Sequence, residues 1–303
     1  MAIVQKPTGG RFERALILAN RNASRFAEQG ERVLRHLEAR LMLETRDGDE
    51  PGLPRFLREN ESSYDVIFVA GGDGTINGLL ATLVELSTPV GVIPLGTAND
   101  FAKALAIPAD PIEAVDALLA GEPHDVDVGL VNDLHFINVA SIGLGADVAR
   151  EMATTEKGLF GILSYPLALI RAYRSARPIR VRMWLDGELR RLRVLQLGVG
   201  NGHSHGGGIY VSETVSITDG LFDIYCVIPP SFWRLTFILH ALMRAEHARE
   251  PSVMTFTASK IELRSSRKVD VNIDGELATT TPASFRVKRS ALTILAPLDW
   301  KGS

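Results

Sequence analysis

Val66–Leu80, VIFVAGGDGTINGLL, is the stretch on which the fold turns. Val66, Ile67, Phe68, Val69 and Ala70 make an apolar, β-branched-rich run of strand length, and the sequence turns to glycine as soon as it ends. The pattern predicts a strand, a turn, and a helix from about Thr75. Gly71, Gly72 and Gly74 let another group approach the backbone with no Cβ in the way. Amides freed by such a turn join a helix N-terminus to form an anion site, for which phosphate is the natural occupant. Asp73 is the odd residue there, because a carboxylate repels phosphate unless a cation or a proton donor intervenes; it points to Mg2+, a substrate hydroxyl, or both. Many turns of this kind bind nothing, so these residues alone leave a purely structural role open.

Upstream, Ala15–Ala19 reads as a first strand and Asn20, Arg21, Asn22 and Ala23 as a turn. Phe26, Val33, Leu34, Leu37 and Leu41 then fall at helical spacing. Leu41–Thr45 fits a second strand, Asp47–Pro54 a turn, and a helix to about Asn60 precedes the strand Tyr64–Ala70. Strands alternating with helices predict a parallel sheet that binds ligands at the carboxyl ends of its strands. Downstream, Val90–Ile93 is followed by Pro94-Leu95-Gly96-Thr97-Ala98-Asn99-Asp100-Phe101-Ala102-Lys103, again strand, glycine turn and helix. Asn99 or Asp100 can serve as a helix cap; taken with Asp73 on the adjacent strand end, a shared nucleotide site is the better account.

From Asp125 the pattern changes. Short runs such as Leu134–Ala140 lead to two expected helices, about Ala146–Thr155 and Phe160–Ser175. After Pro178 the chain turns to strands: Ile179–Leu185 and Leu189–Val199 flank Asp186-Gly187, a hairpin signal. Further strands are expected at Leu221–Ile228, Val253–Leu263, Val269–Asp274, Ser284–Lys288 and Leu292–Leu295.

The chain has 303 residues, 46% of them hydrophobic, enough for two cores. With 33 basic and 36 acidic residues the net charge is −3, so no global field favours nucleic acid. The single cysteine, Cys226, excludes an intrachain disulfide and suits a reducing compartment. No secretory apolar core stands in MAIVQKPTGGRFERAL and no 18-residue uncharged apolar run occurs, so a cytoplasmic protein is expected, at most peripheral at a membrane. The apolar runs Leu159–Ile170 and Phe232–Met243 have the length of core or interfacial helices.

GGDGT at 71–75, PLGTANDFAK at 94–103, FINVASIGLGADV at 136–148, GNGHSHGGG at 200–208, TDGLFD at 218–223 and NIDGE at 272–276 occur in the order and spacing of one family. Over almost its full length the chain resembles the diacylglycerol kinase and sphingosine kinase superfamily, above all the bacterial YegS-like lipid kinases. The resemblance implies an α/β nucleotide-binding domain over 1–128, a β-rich, sandwich-like lipid-acceptor domain over 129–290, and a tail, 291–303, returning to the first. It implies that Gly71, Gly72, Gly74 and Thr75 cradle the ATP phosphates while Asn20, Thr45, Gly96, Thr97 and Asn99 line the same cleft. Asp73, Asp100 and Glu276 would form the acidic group around Mg2+ and the acceptor hydroxyl, with Glu276 or Asp73 as the base; our choice is Glu276, with Asp73 near the metal. Asp274-Gly275 reads equally as a hairpin turn.

TDGLFD resembles a second divalent-ion site, with Asp219 as side-chain ligand and the carbonyls of Ser216 and Leu221; a plain turn explains Asp219-Gly220 as well. His203 and His205 beside Gly206, Gly207 and Gly208 lack a third metal ligand in register, and read as a loop near the acceptor. Arg171, Arg174, Arg177, Arg180 and Arg182 read as a solvated face or as a patch for anionic headgroups. The chain departs from the family pattern at Asn20–Arg25, and at Gly78, where a glutamate is usual. The expected partners are ATP, a membrane-derived lipid acceptor and, transiently, the membrane surface, with no nucleic acid; homodimerisation is left open. The competing readings are an NAD kinase-like small-molecule kinase, which shares GGDGT, and a degenerate kinase that binds nucleotide or lipid without turnover. No Gly-x-x-x-x-Gly-Lys-Ser/Thr occurs, against a P-loop enzyme.

Overall fold

The computed structural model describes residues 11–143, 177–202, 216–229 and 253–302. The helices expected near 146–155 and 160–175, the apolar run 232–243, Arg171, Arg174, His203, His205 and Gly206–Gly208 lie outside the described residues. The chain forms two compact units, one of Met1–Asp127 with Arg289–Ser303, the other of Val128–Lys288.

The first unit runs β1 (Arg14–Ala19), α1 (Phe26–Glu38), β2 (Met42–Asp47), α2 (Leu53–Asn60), β3 (Val66–Gly71), α3 (Asp73–Leu83), β4 (Val90–Pro94), α4 (Asp100–Ala104), α5 (Pro111–Ala120) and β5 (Glu122–Val131). Its strands pair in parallel in the order β2-β1-β3-β4, so the winding reverses between β1 and β3. Ligands of open parallel sheets bind at such a reversal, outside the carboxyl ends of the strands. All six residues of β3 are buried, as a strand covered on both faces must be. On α1, Val33 and Leu37 are buried as the spacing predicts, and Gly30 joins them; Leu41 is buried beyond the helix end. Pro54, read as part of the turn, stands in the first turn of α2, where its missing N–H costs nothing. α3 starts at Asp73, two residues before the expected Thr75.

The second unit continues with β6 (Leu134–Phe136), β7 (Val139–Gly143), β8 (Ile179–Leu185), β9 (Glu188–Val194), β10 (Gln196–Gly200), β11 (Phe222–Val227), β12 (Val253–Ala258), β13 (Lys260–Ser265), β14 (Asp270–Ile273) and β15 (Glu276–Thr280). β16 (Ala283–Ala296) runs on from it into the first unit. One antiparallel sheet has the order β12-β11-β10-β7-β14-β15; in the other, β9, β8, β13 and the start of β16 pair in turn. Phe136, Ile142, Val181, Met183, Leu197, Phe222, Ile224, Ile261, Leu263 and Phe285 fill the core between the sheets, and the rings of Phe136 and Phe222 stack 5.6 Å apart. Burying each such side chain contributes about 1.5–3 kcal/mol.

Two stretches read as single strands are divided. Leu189–Val199 becomes β9 in one sheet and β10 in the other, and Val253–Leu263 becomes β12 and β13. Asp186, at φ 46° in the β8–β9 turn, secures the second break: its carboxylate accepts from the Ser259 N–H (3.1 Å), the Ser259 hydroxyl (2.9 Å) and the Lys260 N–H (2.9 Å). Conversely, Ser284–Lys288 and Leu292–Leu295 are one strand, β16. Its far part lies parallel to β4, Ile294 opposite Val90. There the Thr293 hydroxyl donates to Asp125 (2.7 Å) and the Ser290 N–H to Asp127 (2.8 Å) of β5.

Candidate active site

In the first unit, the residues that follow β1, β3 and β4 meet. The Asn20 side chain donates from Nδ2 to Thr75 Oγ1 at 2.8 Å, spanning the reversal between β1 and β3. The two glycine turns pack backbone to backbone. A Cβ on Gly96 would stand 2.5 Å from the Cα of Gly72, and one on Gly71 would meet the Thr75 hydroxyl at 2.4 Å. Neither position needs a positive φ; it is the close approach that requires glycine. Asn99 closes its own turn, accepting from the Gly96 N–H (2.9 Å) and donating to the Gly96 carbonyl (2.8 Å), and it does so at φ 51°.

Asn99 occupies the N-cap position of α4 but makes no side-chain cap. Asp73 supplies it. The Asp73 carboxylate accepts from the N–H of Asp100 (3.0 Å) and of Phe101 (2.9 Å), tying the start of α3 to the start of α4. Each carboxylate oxygen keeps a lone pair. Asp100 itself is buried and faces inward, 3.3 Å from the ammonium of the exposed Lys103. α3 has no side-chain cap, and among the described residues the N–H groups of Asp73 and Gly74 find no acceptor. Gly74 has open space around it.

A cavity of ≈ 330 Å³ adjoins the second glycine turn, lined in part by Ser24, Arg25, Gly96, Thr97, Asn99 and Lys103. The Ser24 and Thr97 hydroxyls lie 3.3 Å apart. Free amides at a helix start, two hydroxyls and two cations are a donor set that fits a polyphosphate. Among the described residues no three His, Cys, Asp or Glu side chains gather as a ready-made metal site. A divalent ion here would take Asp73 together with phosphate and water oxygens, which suits Mg2+. Thr45 is exposed on β2, opposite Ile17, and takes no part in this network. Gly48, after β2, does approach Thr75, at 3.7 Å for an added Cβ. Ser24, Arg25, Gly48 and Lys103 carried no sequence signal beyond their neighbours, although Lys103 closes the PLGTANDFAK stretch.

In the second unit, Glu276 is the exposed first residue of β15. Asp274 and Gly275, at φ 46° and 99°, form the two-residue turn that joins β14 to β15. The Asp274 carboxylate accepts from the N–H groups of Ile137 (2.9 Å), Asn138 (3.1 Å) and Val139 (2.8 Å). The turn reading is therefore right for these two residues, and the turn holds the backbone from which Glu276 projects. In the 216–221 turn, Asp219 accepts from the N–H of Leu221 (2.8 Å) and of Ser216 (3.4 Å). Nearby Asp223 is buried, with one carboxylate oxygen unpartnered among the described residues; burial and then the charge of Asp219 push its carboxyl up to about 6.

Among the described residues no helix is long and apolar enough to cross a membrane. Residues 14–131 match the family described as diacylglycerol kinase catalytic domain, and residues 138–296 that described as YegS C-terminal NAD kinase beta sandwich-like domain. The chain is 32% identical over 225 residues to a diacylglycerol kinase of Bacillus subtilis (strain 168), covering 73% of this chain and 74% of the relative. It is 29% identical over 248 residues to one of Staphylococcus carnosus (strain TM300), covering 81% of each. It superposes on a crystal structure of a candidate diacylglycerol kinase from Bacillus anthracis str. Sterne with a TM-score of 0.76 at 26% identity, over 95% of this chain and 98% of that one. The chain belongs to the diacylglycerol kinase family and is a lipid kinase, a transferase with an alcohol group as acceptor.

Proposed function

We propose that the chain transfers the γ-phosphoryl group of ATP, with Mg2+, to the hydroxyl of diacylglycerol or a closely related lipid. Residues 1–128 bind the nucleotide and 129–290 receive the acceptor, drawn from a membrane surface by a cytoplasmic protein. The observation that carries this reading is the meeting of the Gly71–Thr75 and Gly96–Asn99 turns at the ends of neighbouring parallel strands, with Asp73 between them. The name diacylglycerol kinase carried by the bacterial relatives supports the acceptor class.

The free N–H groups of Asp73 and Gly74, with the dipole of α3, take the phosphate oxygens. Thr75, held by Asn20, and Thr97 add hydroxyl donors, while Arg25 and Lys103 offset negative charge. Mg2+ bound beside Asp73 supplies further charge neutralisation to the phosphates. Glu276 accepts the proton of the lipid hydroxyl as its oxygen bonds to the γ-phosphorus and the bond to ADP breaks; such a base contributes roughly 10²–10⁴-fold. Asp219, with the carbonyls of Ser216 and Leu221, holds a second divalent ion that stiffens its turn.

The test is transfer of labelled γ-phosphate to a panel of lipids in mixed micelles: diacylglycerol, a sphingoid base, ceramide and phosphatidylglycerol. Wild type is run beside Asp73→Asn and Glu276→Gln. Transfer to diacylglycerol, lost in both variants, is expected. Phosphorylation of NAD in place of any lipid, or ATP binding with no product, would overturn the assignment.

A further inference from the structure

Five arginines stand together on the outward face of the β9-β8-β13 ladder, beside Trp184, Leu189 and Glu262. Along β8, Arg180 and Arg182 are exposed while Ile179, Val181 and Met183 are buried. The register sets Arg193 of β9 opposite Arg180, and places Arg191 of β9 and Arg264 of β13 on either side of Arg182. All five are exposed, and among the described residues none has an ion-pair partner; the described ion pairs on these strands are Arg190–Glu188 and Lys260–Glu262.

Like charges directly opposite across antiparallel strands weaken the pairing, and folding alone would favour alternating signs here. A charged edge strand that discourages edge-to-edge association accounts for β9. It does not account for β8 or β13, each paired on both sides. Nor does solubility require one sign, in a chain with 36 acidic residues to 33 basic. Trp184, half-buried, lies on the same face with the Arg264 guanidinium 5.4 Å from its ring centroid. An open depression of ≈ 450 Å³ is lined by all five arginines, and a second, of ≈ 730 Å³, continues past Arg267 and Lys268.

We propose that this arginine face docks the chain on an anionic lipid bilayer, its guanidinium groups taking headgroup phosphates. Guanidinium forks pair bidentately with phosphate oxygens, which an ammonium does not match. Sheet geometry spaces the five at about 5 Å across strands and about 7 Å along them, a flat array suited to many phosphates rather than one ligand. Tryptophan is favoured at the water–lipid boundary, where its ring is apolar and its N–H stays wet. The choice of a lipid surface over another polyanion rests on the lipid kinase reading.

The test is co-sedimentation of the full chain with vesicles of phosphatidylcholine alone or mixed with phosphatidylglycerol, without ATP or diacylglycerol, so that binding is read independently of phosphoryl transfer. Each arginine near an anionic surface contributes about fivefold to partitioning. The variant R180Q/R182Q/R191Q/R193Q is therefore expected to lose on the order of several hundredfold in binding to anionic vesicles, while its melting temperature holds or rises, since two like-charge pairs across the strands are removed. A charge-matched control, R35Q/R40Q/R55Q/R58Q on α1, just beyond it and on α2, is expected to bind like wild type. Transfer to acceptor in neutral detergent micelles is expected to survive in the arginine variant. Equal binding of wild type and arginine variant, equal loss in the control, no preference of wild type for anionic over neutral vesicles, or arginine-dependent binding to RNA but not to vesicles would each overturn the proposal. Vesicle binding that depends on the arginines, in a protein that phosphorylates no lipid, would uphold the surface and sink the kinase chemistry alone.

Discussion

Asp73 reaches from the first turn of α3 to accept the backbone N–H of Asp100 at 3.0 Å, so the carboxylate nearest the proposed metal also caps the next helix of the site. A residue in two roles can be separated by two substitutions. Asp73→Ala removes both hydrogen bonds and is expected to cost about 1–2 kcal/mol of stability, as loss of a helix cap does. Asp73→Asn keeps one acceptor oxygen and is expected to cost less than about 1 kcal/mol. Urea denaturation read beside phosphoryl transfer checks this: transfer should be lost in both, stability mainly in the alanine variant.

Gly96, in a glycine turn, and Gly78, within α3, make a second, opposed pair. Gly96→Ala would bring a Cβ within 2.5 Å of the Gly72 Cα and 2.7 Å of Asn99 Oδ1. Overpacking of that order costs about 1–3 kcal/mol, and the KM for ATP is expected to rise. Gly78→Ala meets nothing within 4 Å on an exposed face of α3, and should stabilise by about 0.5–1 kcal/mol through helix propensity. Thermal melts of the two variants should move in opposite directions.

Cys226 is buried in β11, and burial pushes its thiol up to about 12. A value raised above the ordinary 9.0 means that the fold favours the neutral thiol. Its contribution is then fully present below pH 9 and is lost as the pH climbs from 9 towards 12. A thiol reagent applied at neutral pH is expected to leave the native chain unlabelled and to react only as urea unfolds it. Labelling at the free-thiol rate in the native state would contradict this burial.

Occupation of the 216–221 turn by a cation predicts a melting temperature that rises with Mg2+. At tenfold excess over the dissociation constant the gain is about 1.4 kcal/mol. Asp219→Asn should lack that part of the rise and still show whatever comes from ATP-dependent binding at Asp73. An identical Mg2+ response in both proteins would remove the second ion from the account.

The first unit was legible because each of its signals is local: an apolar run, a glycine turn and a helical stripe fall within a few residues of one another. Gly71, Gly72 and Gly96 announce close approach by their type alone. The Asp73 cap was not legible, since its partners lie 27 and 28 residues away. Nor was the hold of Asp274 on 137–139, more than 130 residues off. The divided strands escaped for a different reason. Apolar character continues through Leu195, because both sheets bury their inner faces, so the first change of sheet leaves no break in hydropathy; the second is marked only by the polar pair Ser259-Lys260 inside an alternating stretch. β15, Glu276–Thr280, has neither alternation nor an apolar run and is exposed through its first three residues; its partner β14 and the turn define it. Arg180 and Arg182 were read, with the arginines before them, as a solvated face or as a patch for anionic headgroups; Arg191, Arg193 and Arg264 drew no reading, and only the strand register shows the five to be neighbours.

The return of β16 to lie beside β4 has a consequence for how the protein is made. Residues of the first unit are separated by the whole of the second, and Ile294 is the partner of Val90. On the ribosome, the side of β4 that receives Ile294 stays open until some two hundred further residues have emerged, roughly the separation of the two partners, while an unpaired strand flank is available to other chains. Completion of the first unit is thus timed by the emergence of β16, and a chain released at residue 280, for instance, would carry every glycine of the site on a sheet it cannot finish.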